Sequence, residues 1–214
     1  MGEAELHSIS QQLIIHSVIV CYGEASSLDL SLKIANDISL HWNEPEGKVP
    51  IKGKWYTVRF EIEALHEPAL DPERVWYNDN PLLNFFRIEE FAETNVSFVD
   101  GIGSNTGYFK LEDVLKTSTT AAHEFGHTLG LEHPTRLDIR GKGAPGIMYP
   151  RGTICDPAYQ YDANAQPGAA GGTMNPIYRK VLTSDINDLT LQRLLFYNGR
   201  AVVGEFTSIY HEKH

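Results

Sequence analysis

The feature that most constrains this chain is a histidine-rich stretch, residues 122–133, which reads Ala-His-Glu-Phe-Gly-His-Thr-Leu-Gly-Leu-Glu-His. Residues four apart on a helix share one face, so a helix here would direct the imidazoles of His123 and His127 toward one point. Glu124 would stand one step around the same helix, close to that point but outside the pair. Two imidazoles at this spacing, with a carboxylate between them, indicate a metal site in which the carboxylate acts on water.

A third candidate ligand follows the predicted helix. His133 lies six residues beyond His127, where a continuing helix would not present it to the same point. Gly130 could end the helix before His133, because glycine tolerates the left-handed conformation that ends a helix and turns the chain back. His133 could then approach as a third nitrogen ligand. Three protein ligands leave a fourth position for water, which is typical of catalytic rather than structural zinc.

The full pattern His-Glu-x-x-His-x-x-Gly-x-x-His resembles that of the metzincin zinc peptidases. Metzincins carry a methionine-bearing turn beneath the zinc ion, and residues 146–150 read Gly-Ile-Met-Tyr-Pro. The resemblance therefore implies that Met148 forms this turn, where an unbranched, polarizable side chain gives the ligands an apolar base. Met174, in the segment 172–176, is the alternative.

Within the metzincins, the Met-Tyr-Pro sequence is most similar to the matrixin form of the turn, and residues 182–186 resemble the start of the final matrixin helix. Matrixins carry a tyrosine two residues after the proline, where this chain has Gly152. Astacin-like and serralysin-like relatives carry a ligand tyrosine two residues after the methionine, where this chain has Pro150. Tyr149 and Pro150 are therefore interpreted as candidate walls of a substrate pocket. The segment 151–179 resembles an insertion, with a weak similarity to peptidase regions of bacterial Rhs-type polymorphic proteins.

The resemblance implies a zinc-dependent endopeptidase with one catalytic Zn²⁺ ion, in which Glu124 is the general base for a metal-activated water. Its substrate would be a peptide or protein lying along an edge strand, and residues 104–108 or the strand at Phe85 are the candidates for that edge. Three alternatives stay open. The first is a catalytically inactive metzincin-like binding module. The second is a proteolytic toxin or effector domain released from a larger bacterial polypeptide, and the third is that the metal ion is structural.

The composition limits the possible partners. With 214 residues, of which 42% are apolar, the chain suits a single metzincin-like catalytic domain over 1–214, with an upper lobe of about 1–130 and a lower lobe of about 131–214. The net charge of −10, with no run of lysine or arginine, argues against nucleic acid and anionic membranes as partners. Calcium is not indicated, because no Asp-x-Asp-x-Asp-Gly loop appears. The oligomeric state stays open, with a monomer expected.

Cysteine content and the first residues bear on location. Cys21 and Cys155 are too few for a disulfide scaffold, and whether they pair is left open. The first residues are acidic where an export signal would be basic, and His16 and Ser17 interrupt the apolar run that follows. We therefore predict neither a signal peptide nor a membrane span, although the resemblance favours a secreted protein.

The hydrophobic pattern predicts strands and helices in alternation. Residues 13–20 are apolar on both faces, as in a central strand, and residues 56–64 alternate, as in a strand with one wet face. Residues 26–29 predict a cap for a helix that ends at 44–47. Its apolar stripe consists of Leu30, Ile34, Ile38 and Trp42, with Leu28, Leu32 and Ala35 beside it.

The rest of the chain is predicted more coarsely. The further expectations are a surface loop at 67–82, short strands at 85–89, 96–99 and 108–111, turns at Gly101, Gly103 and Gly107, a cap for the histidine-bearing helix at Thr117 or Ser118, an irregular stretch at 134–176 and a final helix from 183 to about Tyr197. This order predicts an α/β (α+β) metzincin-like zincin. A twisted mixed β-sheet with two main helices would form the upper lobe, and the irregular lower lobe would end in a C-terminal helix.

Overall fold

The structure, a computed structural model, describes residues 1–91, 95–115 and 119–213. It has the mixed α/β fold that the sequence predicts. The strands are β1 (Gly2–His7), β2 (Gln12–Tyr22), β3 (Lys48–Ile51), β4 (Lys54–His66), β5 (Leu83–Glu89), β6 (Phe98–Val99), β7 (Thr106–Lys110) and β8 (Arg200–Val203). The helices are α1 (Leu28–Asn43), α2 (Pro72–Trp76), α3 (Leu111–Leu115), α4 (Thr120–Thr128) and α5 (Thr183–Asp188).

The strands form a mixed sheet with the order β3-β4-β2-β5-β7-β6. Strand β2 runs parallel to β4 along one side, and it pairs with β1 and then with β5 along the other. Strand β8 pairs antiparallel with the outer side of β1. The central strand predicted at 13–20 is thereby confirmed.

Helix α1 covers one face of this sheet. The Ser27 hydroxyl accepts a hydrogen bond from the backbone N–H of Leu30 at 3.2 Å, which caps the helix where the sequence predicts a cap. The predicted stripe is buried, and its members are Leu30, Ile34, Ile38 and Trp42. Of the residues expected beside the stripe, Ala35 is buried, whereas Leu28 and Leu32 are 54% and 52% exposed.

Trp42 connects α1 to α4. Its indole Nε1–H donates to the carbonyl oxygen of Ala122 at 3.0 Å. Its ring also lies 5.2 Å from the Phe60 ring and 6.0 Å from the Phe125 ring, measured between centroids. These contacts hold the helix that bears the histidines against the main core.

The region between β5 and α4 differs from the sequence-based prediction. The strand expected at 96–99 is reduced to the two residues of β6, and Gly107 lies inside β7 rather than in a turn. Helix α3, which follows β7 directly, was not predicted because its five residues are too few to establish a period. The predicted cap at Thr117 or Ser118 lies outside the described residues, and Thr119 is the residue before α4.

Neither of the two candidates for the edge strand lies at the edge of the sheet, because β7, which contains part of the segment 104–108, is enclosed between β5 and β6. Phe85 pairs with Thr106 of β7, and β5 is enclosed between β2 and β7. The sheet ends on this side at β6, whose two residues pair with Tyr108 and Gly107. The edge that faces the candidate site is therefore β6 and the residues around it.

The final helix is shorter than predicted. Helix α5 ends at Asp188, and Thr190 adopts a left-handed conformation with φ of 48°, which stops the helix well before Tyr197. A 3-10 turn at Leu191–Arg193 leads the chain to β8 instead. The segment 67–82, predicted as a surface loop, contains the short helix α2. Within the described residues, no helix is both long and apolar enough to cross a membrane.

Candidate metal centre

Three histidines converge beside α4, two from the helix and one from the chain after it. His123 and His127 are buried, and His133 lies at the exposed side of the group. The Nε2 atom of His133 is 3.0 Å from Nε2 of His123 and 3.1 Å from Nε2 of His127. One nitrogen from each ring lies within 4.8 Å of the others, so this cluster could hold a metal ion such as zinc.

The two helical histidines are oriented by backbone carbonyl groups. Nδ1 of His123 lies 2.7 Å from the carbonyl oxygen of Ile147, and Nδ1 of His127 lies 2.7 Å from the carbonyl oxygen of Leu131. A carbonyl oxygen can only accept, so each Nδ1 carries the proton and each Nε2 presents a lone pair to the cluster. This is the outer hydrogen bond that fixes the tautomer of a metal-binding histidine.

The turn after α4 brings in His133. Gly130 has a φ of 100°, a conformation that a residue with a side chain rarely adopts. The backbone N–H of Gly130 donates to the carbonyl oxygen of His127, and that of Leu131 donates to Gly126, both at 3.0 Å. The helix thus ends where the sequence predicts, and the same turn supplies the carbonyl group that orients His127.

Burial keeps the three rings neutral. It lowers the pKa of His123 well below its usual value, and it also lowers the pKa of His127 and of His133. The positive charge of Arg179 lowers each of these pKa values further. Neutral imidazole is the form that binds metal, so the donor set matches a divalent cation without any rearrangement of protons.

Glu124 lies beside this cluster and is buried. It lines the same cavity as the three histidines. Burial raises the pKa of its carboxyl group to about 8, and the charge of Arg179 opposes this effect. A dication held by the histidines would lower this pKa, because it favours the ionised carboxylate.

Met148 lies directly against α4. A Cβ atom added to Gly126 would overlap Met148 Sδ, and it would also lie 3.2 Å from Met148 Cε. The Met148 side chain therefore occupies the space that the absent Cβ of Gly126 leaves open against α4. Met174, the alternative for this position, packs elsewhere in a cluster with Ile139 and Cys155.

The residues after Met148 take different positions. Pro150 lines the cavity at the histidines, whereas Tyr149 packs against the cluster that contains Met174. Cys155 belongs to that cluster too, and both Cys155 and Cys21 are buried free thiols. The chain therefore folds without a bond between its two cysteines.

The turn that carries Met148 is tied to α5 by Asp185. The backbone N–H of Leu182 donates to the Asp185 carboxylate at 2.7 Å, and that of Ile147 also hydrogen-bonds to it. Burial raises the Asp185 pKa to about 6, against the effect of these two amides. Since Ile147 also accepts from His123, Asp185 supports the orientation of that ring.

The cavity at the cluster has a volume of about 530 Å³ and contains charged residues that the sequence did not single out. Arg151 donates to the Asp113 carboxylate at 2.7 Å, and Asp113 also accepts from the Ser97 hydroxyl at 3.0 Å. Arg179 is buried beside Glu124, and burial lowers its pKa to about 10, so it stays charged at neutral pH. In the sequence, only the length of the irregular segment indicated that it contributes to a site, because long loops in compact domains are usually functional.

The backbone beside the cluster completes the cavity. The residues from this side are Val96, Ser97, Phe98, Val99, Gly101 and Ile102. They belong to β6 and its flanks, the edge of the sheet. The edge of the sheet therefore forms this side of the cavity.

Comparison with known proteins gives neither a matching family model nor a matching curated protein. A functional assignment for this chain therefore rests on the geometry of the histidine cluster and the cavity around it.

Proposed function

We propose that this chain is a zinc-dependent endopeptidase of the metzincin type, with one catalytic domain whose upper lobe is residues 1–130 and whose lower lobe is residues 131–214. The observation that carries the proposal is the convergence of three neutral imidazoles beside a buried carboxylate in one cavity. Each of these groups has a separate use in metal-assisted hydrolysis. The combination is more specific than a group of histidines alone.

His123, His127 and His133 would hold the zinc ion through their Nε2 atoms. Nitrogen ligands at about 2.0–2.1 Å in tetrahedral geometry lie about 3.3–3.4 Å apart. The separations of 3.0 and 3.1 Å to His133 are within a few tenths of an ångström of this value. When bound, zinc supplies Lewis-acid chemistry, which polarises the carbonyl group to be cleaved and acidifies water.

Glu124 would act as the general base, and its position in the same cavity as the histidines supports this role. Its carboxylate accepts a proton from the attacking water and delivers it to the leaving amine. This role requires a group that gains and loses a proton near neutral pH. The opposed effects of burial and of nearby positive charge on the Glu124 pKa are suited to that requirement.

The substrate would lie as an extended peptide along β6. Strand β6 ends the sheet on the side of the cavity, and its neighbours from Val96 to Ile102 line that cavity. An added peptide strand would lie beside this edge, as in β-augmentation. This position brings the backbone of the peptide past the histidines and Glu124.

Replacement of Glu124 tests the proposal. Glu124→Gln keeps the size of the side chain and removes the base, and we expect it to retain one zinc ion per chain by atomic absorption. Cleavage of a mixed peptide library should fall by about 10²–10⁴-fold, the usual contribution of a general base. Chelation should abolish cleavage by the parent, and added zinc should restore it.

The controls separate metal binding from catalysis. His133→Ala should lower both the zinc content and the cleavage rate, in contrast to Glu124→Gln. Cleavage by the Glu124→Gln protein at the rate of the parent would show that the proposed base is wrong. Zinc binding without cleavage by the parent would favour a binding module instead.

A further inference from the structure

Arg179 is a buried cation that lines the cavity, and within the part of the chain that the structure describes its side chain forms no hydrogen bond or ion pair. The residue is 5% exposed, and its Nε atom has no hydrogen-bond partner. Among the described residues, 1–91, 95–115 and 119–213, no acidic side chain forms an ion pair with it. A buried charge is costly unless a partner compensates it. This arrangement points to a partner that arrives from outside the chain.

Arg179 is held in place by its backbone neighbours. Its N–H donates to the carbonyl oxygen of Pro176 at 3.1 Å, and the Thr119 hydroxyl donates to the same oxygen at 2.7 Å. The next residue, Lys180, donates its N–H to Pro145 at 2.9 Å. The segment that carries Arg179 is therefore fastened both to the start of α4 and to the turn before Met148. A side chain based on such a segment loses little further freedom when it binds a ligand.

The charge balance of the cavity favours an anionic ligand. Arg151 is compensated by Asp113, with 2.7 Å between nitrogen and oxygen. Among the described residues Arg179 forms no such ion pair, although the nearby carboxyl groups of Glu124 and Asp113 favour its charged form. The cavity thus carries a guanidinium group that no ion pair occupies, in a chain whose net charge is −10. The planar guanidinium fork matches a carboxylate group and binds it through two parallel hydrogen bonds.

We propose that Arg179 binds a carboxylate group of the substrate and so determines specificity for peptides that carry an acidic side chain or a free C-terminus next to the cleaved bond. The inference rests on the proposed peptidase function and adds a substrate class to it. It also gives the segment 151–179 a role, since this segment places Arg179 in the cavity. Arg179 touches the substrate in this scheme but takes no part in moving the proton.

A paired peptide library tests the inference. Its members carry Glu or the neutral Gln at each position, and each sequence is made with a free C-terminal carboxylate and with a C-terminal amide. We expect the parent to cleave one of the two carboxylate-bearing sets roughly 10- to 100-fold faster than its neutral counterpart, the range of a charge-assisted hydrogen bond. The Glu/Gln comparison reports a side-chain carboxylate, and the acid/amide comparison reports the C-terminus.

Matched variants assign the preference to Arg179. Arg179→Gln should reduce the ratio of the two rates toward one. Arg193→Gln removes the same charge from an exposed position and should keep the ratio of the parent. An equal fall in rate on every peptide, with the ratio preserved, would overturn the inference and assign Arg179 to transition-state stabilisation. A parent without any preference for carboxylates would overturn it as well.

A binding measurement separates this inference from the peptidase proposal. The probes are 3-phenylpropanoate and its uncharged amide, titrated by calorimetry into the Glu124→Gln protein with and without Arg179→Gln. The titrations are run with and without added zinc, because zinc itself binds carboxylates. If the parent cleaves no peptide, carboxylate binding that depends on Arg179 would still support a carboxylate site at Arg179, while the absence of cleavage by the parent would contradict the peptidase proposal. Equal binding with and without Arg179→Gln would overturn the inference, whatever the activity.

A more conservative variant, Arg179→Lys, tests the inference if Arg179→Gln does not fold. If the circular-dichroism spectrum of Arg179→Gln departs from that of the parent, Arg179→Lys decides the question, since lysine keeps the charge and loses the fork. A fall of about threefold or more in the carboxylate preference would support the inference. An unchanged preference would overturn it.

Discussion

The contact between Gly126 and Met148 predicts that Gly126→Ala destabilises the protein, although the same substitution usually stabilises a helix. Gly126 lies in the middle of α4, where alanine is favoured over glycine by about 1 kcal/mol in helix propensity. In this protein, however, the added methyl group would overlap Met148 Sδ and would lie 3.2 Å from Cζ2 of Trp42. Overpacking of a core costs about 1–3 kcal/mol. We therefore expect Gly126→Ala to lower the free energy of unfolding by up to about 2 kcal/mol.

The effect should reverse once Met148 is shortened. Met148→Ala alone should cost about 2–5 kcal/mol, as for other large-to-small changes at buried positions. In that background the methyl group at Gly126 enters the vacated space, so Gly126→Ala should be neutral or stabilising by about 1 kcal/mol. The coupling between the two substitutions should therefore be about 1–3 kcal/mol.

Urea denaturation of the four proteins in this cycle measures the coupling, provided that the m-values agree. Met174→Ala is the matched control, because Met174 is equally buried but packs with Ile139 and Cys155. Gly126→Ala should cost the same in the Met174→Ala background as in the parent. An additive result with Met148→Ala, or coupling with Met174→Ala, would refute the placement of Met148 beneath α4.

Two other predictions concern residues that support the site. The Asp185 pKa is raised from 3.8 to about 6 in the folded protein, so its contribution to stability is complete below pH 3.8 and is lost as the pH rises through 6. Asp185→Asn should therefore gain roughly 1–3 kcal/mol of stability relative to the parent between pH 4 and pH 7, and a difference independent of pH would contradict the shift. Trp42→Phe removes the donor to the Ala122 carbonyl group and should lower the free energy of unfolding by about 1–3 kcal/mol, and an unchanged denaturation midpoint would show that this link between α1 and α4 contributes little.

Local patterns account for the parts of the fold that could be predicted. The stripe from Leu30 to Trp42 and the alternation in β4 are periodic, and a period depends only on which face is buried. The pairing of β8 with β1 joins residues about 200 positions apart, and nothing local marks it. The final helix was predicted to be too long, because Thr190 adopts a left-handed conformation that ends it. The sequence gives no sign of this, since such a conformation is more usual for glycine or asparagine.

In the candidate site, too, some residues could be predicted from local sequence patterns and others could not. The spacing of His123 and His127 is a helical spacing, and Gly130 indicates the turn that brings in His133, so the cluster could be foreseen from eleven consecutive positions. Arg179 reaches the cavity from an irregular segment without any period. Its place depends on hydrogen bonds at Pro176 and Lys180 to parts of the chain far away in sequence.

X-ray absorption at the zinc K-edge tests the central claim most directly, because it reads the ligands of the metal in solution. For the zinc-loaded protein, the account predicts one ion per chain with three imidazole nitrogens and one oxygen, all at about 2.0–2.1 Å. His133→Ala should lose one imidazole from this set. A sulfur ligand at about 2.3 Å, a fourth protein nitrogen, or an unchanged spectrum in His133→Ala would contradict the open three-histidine site.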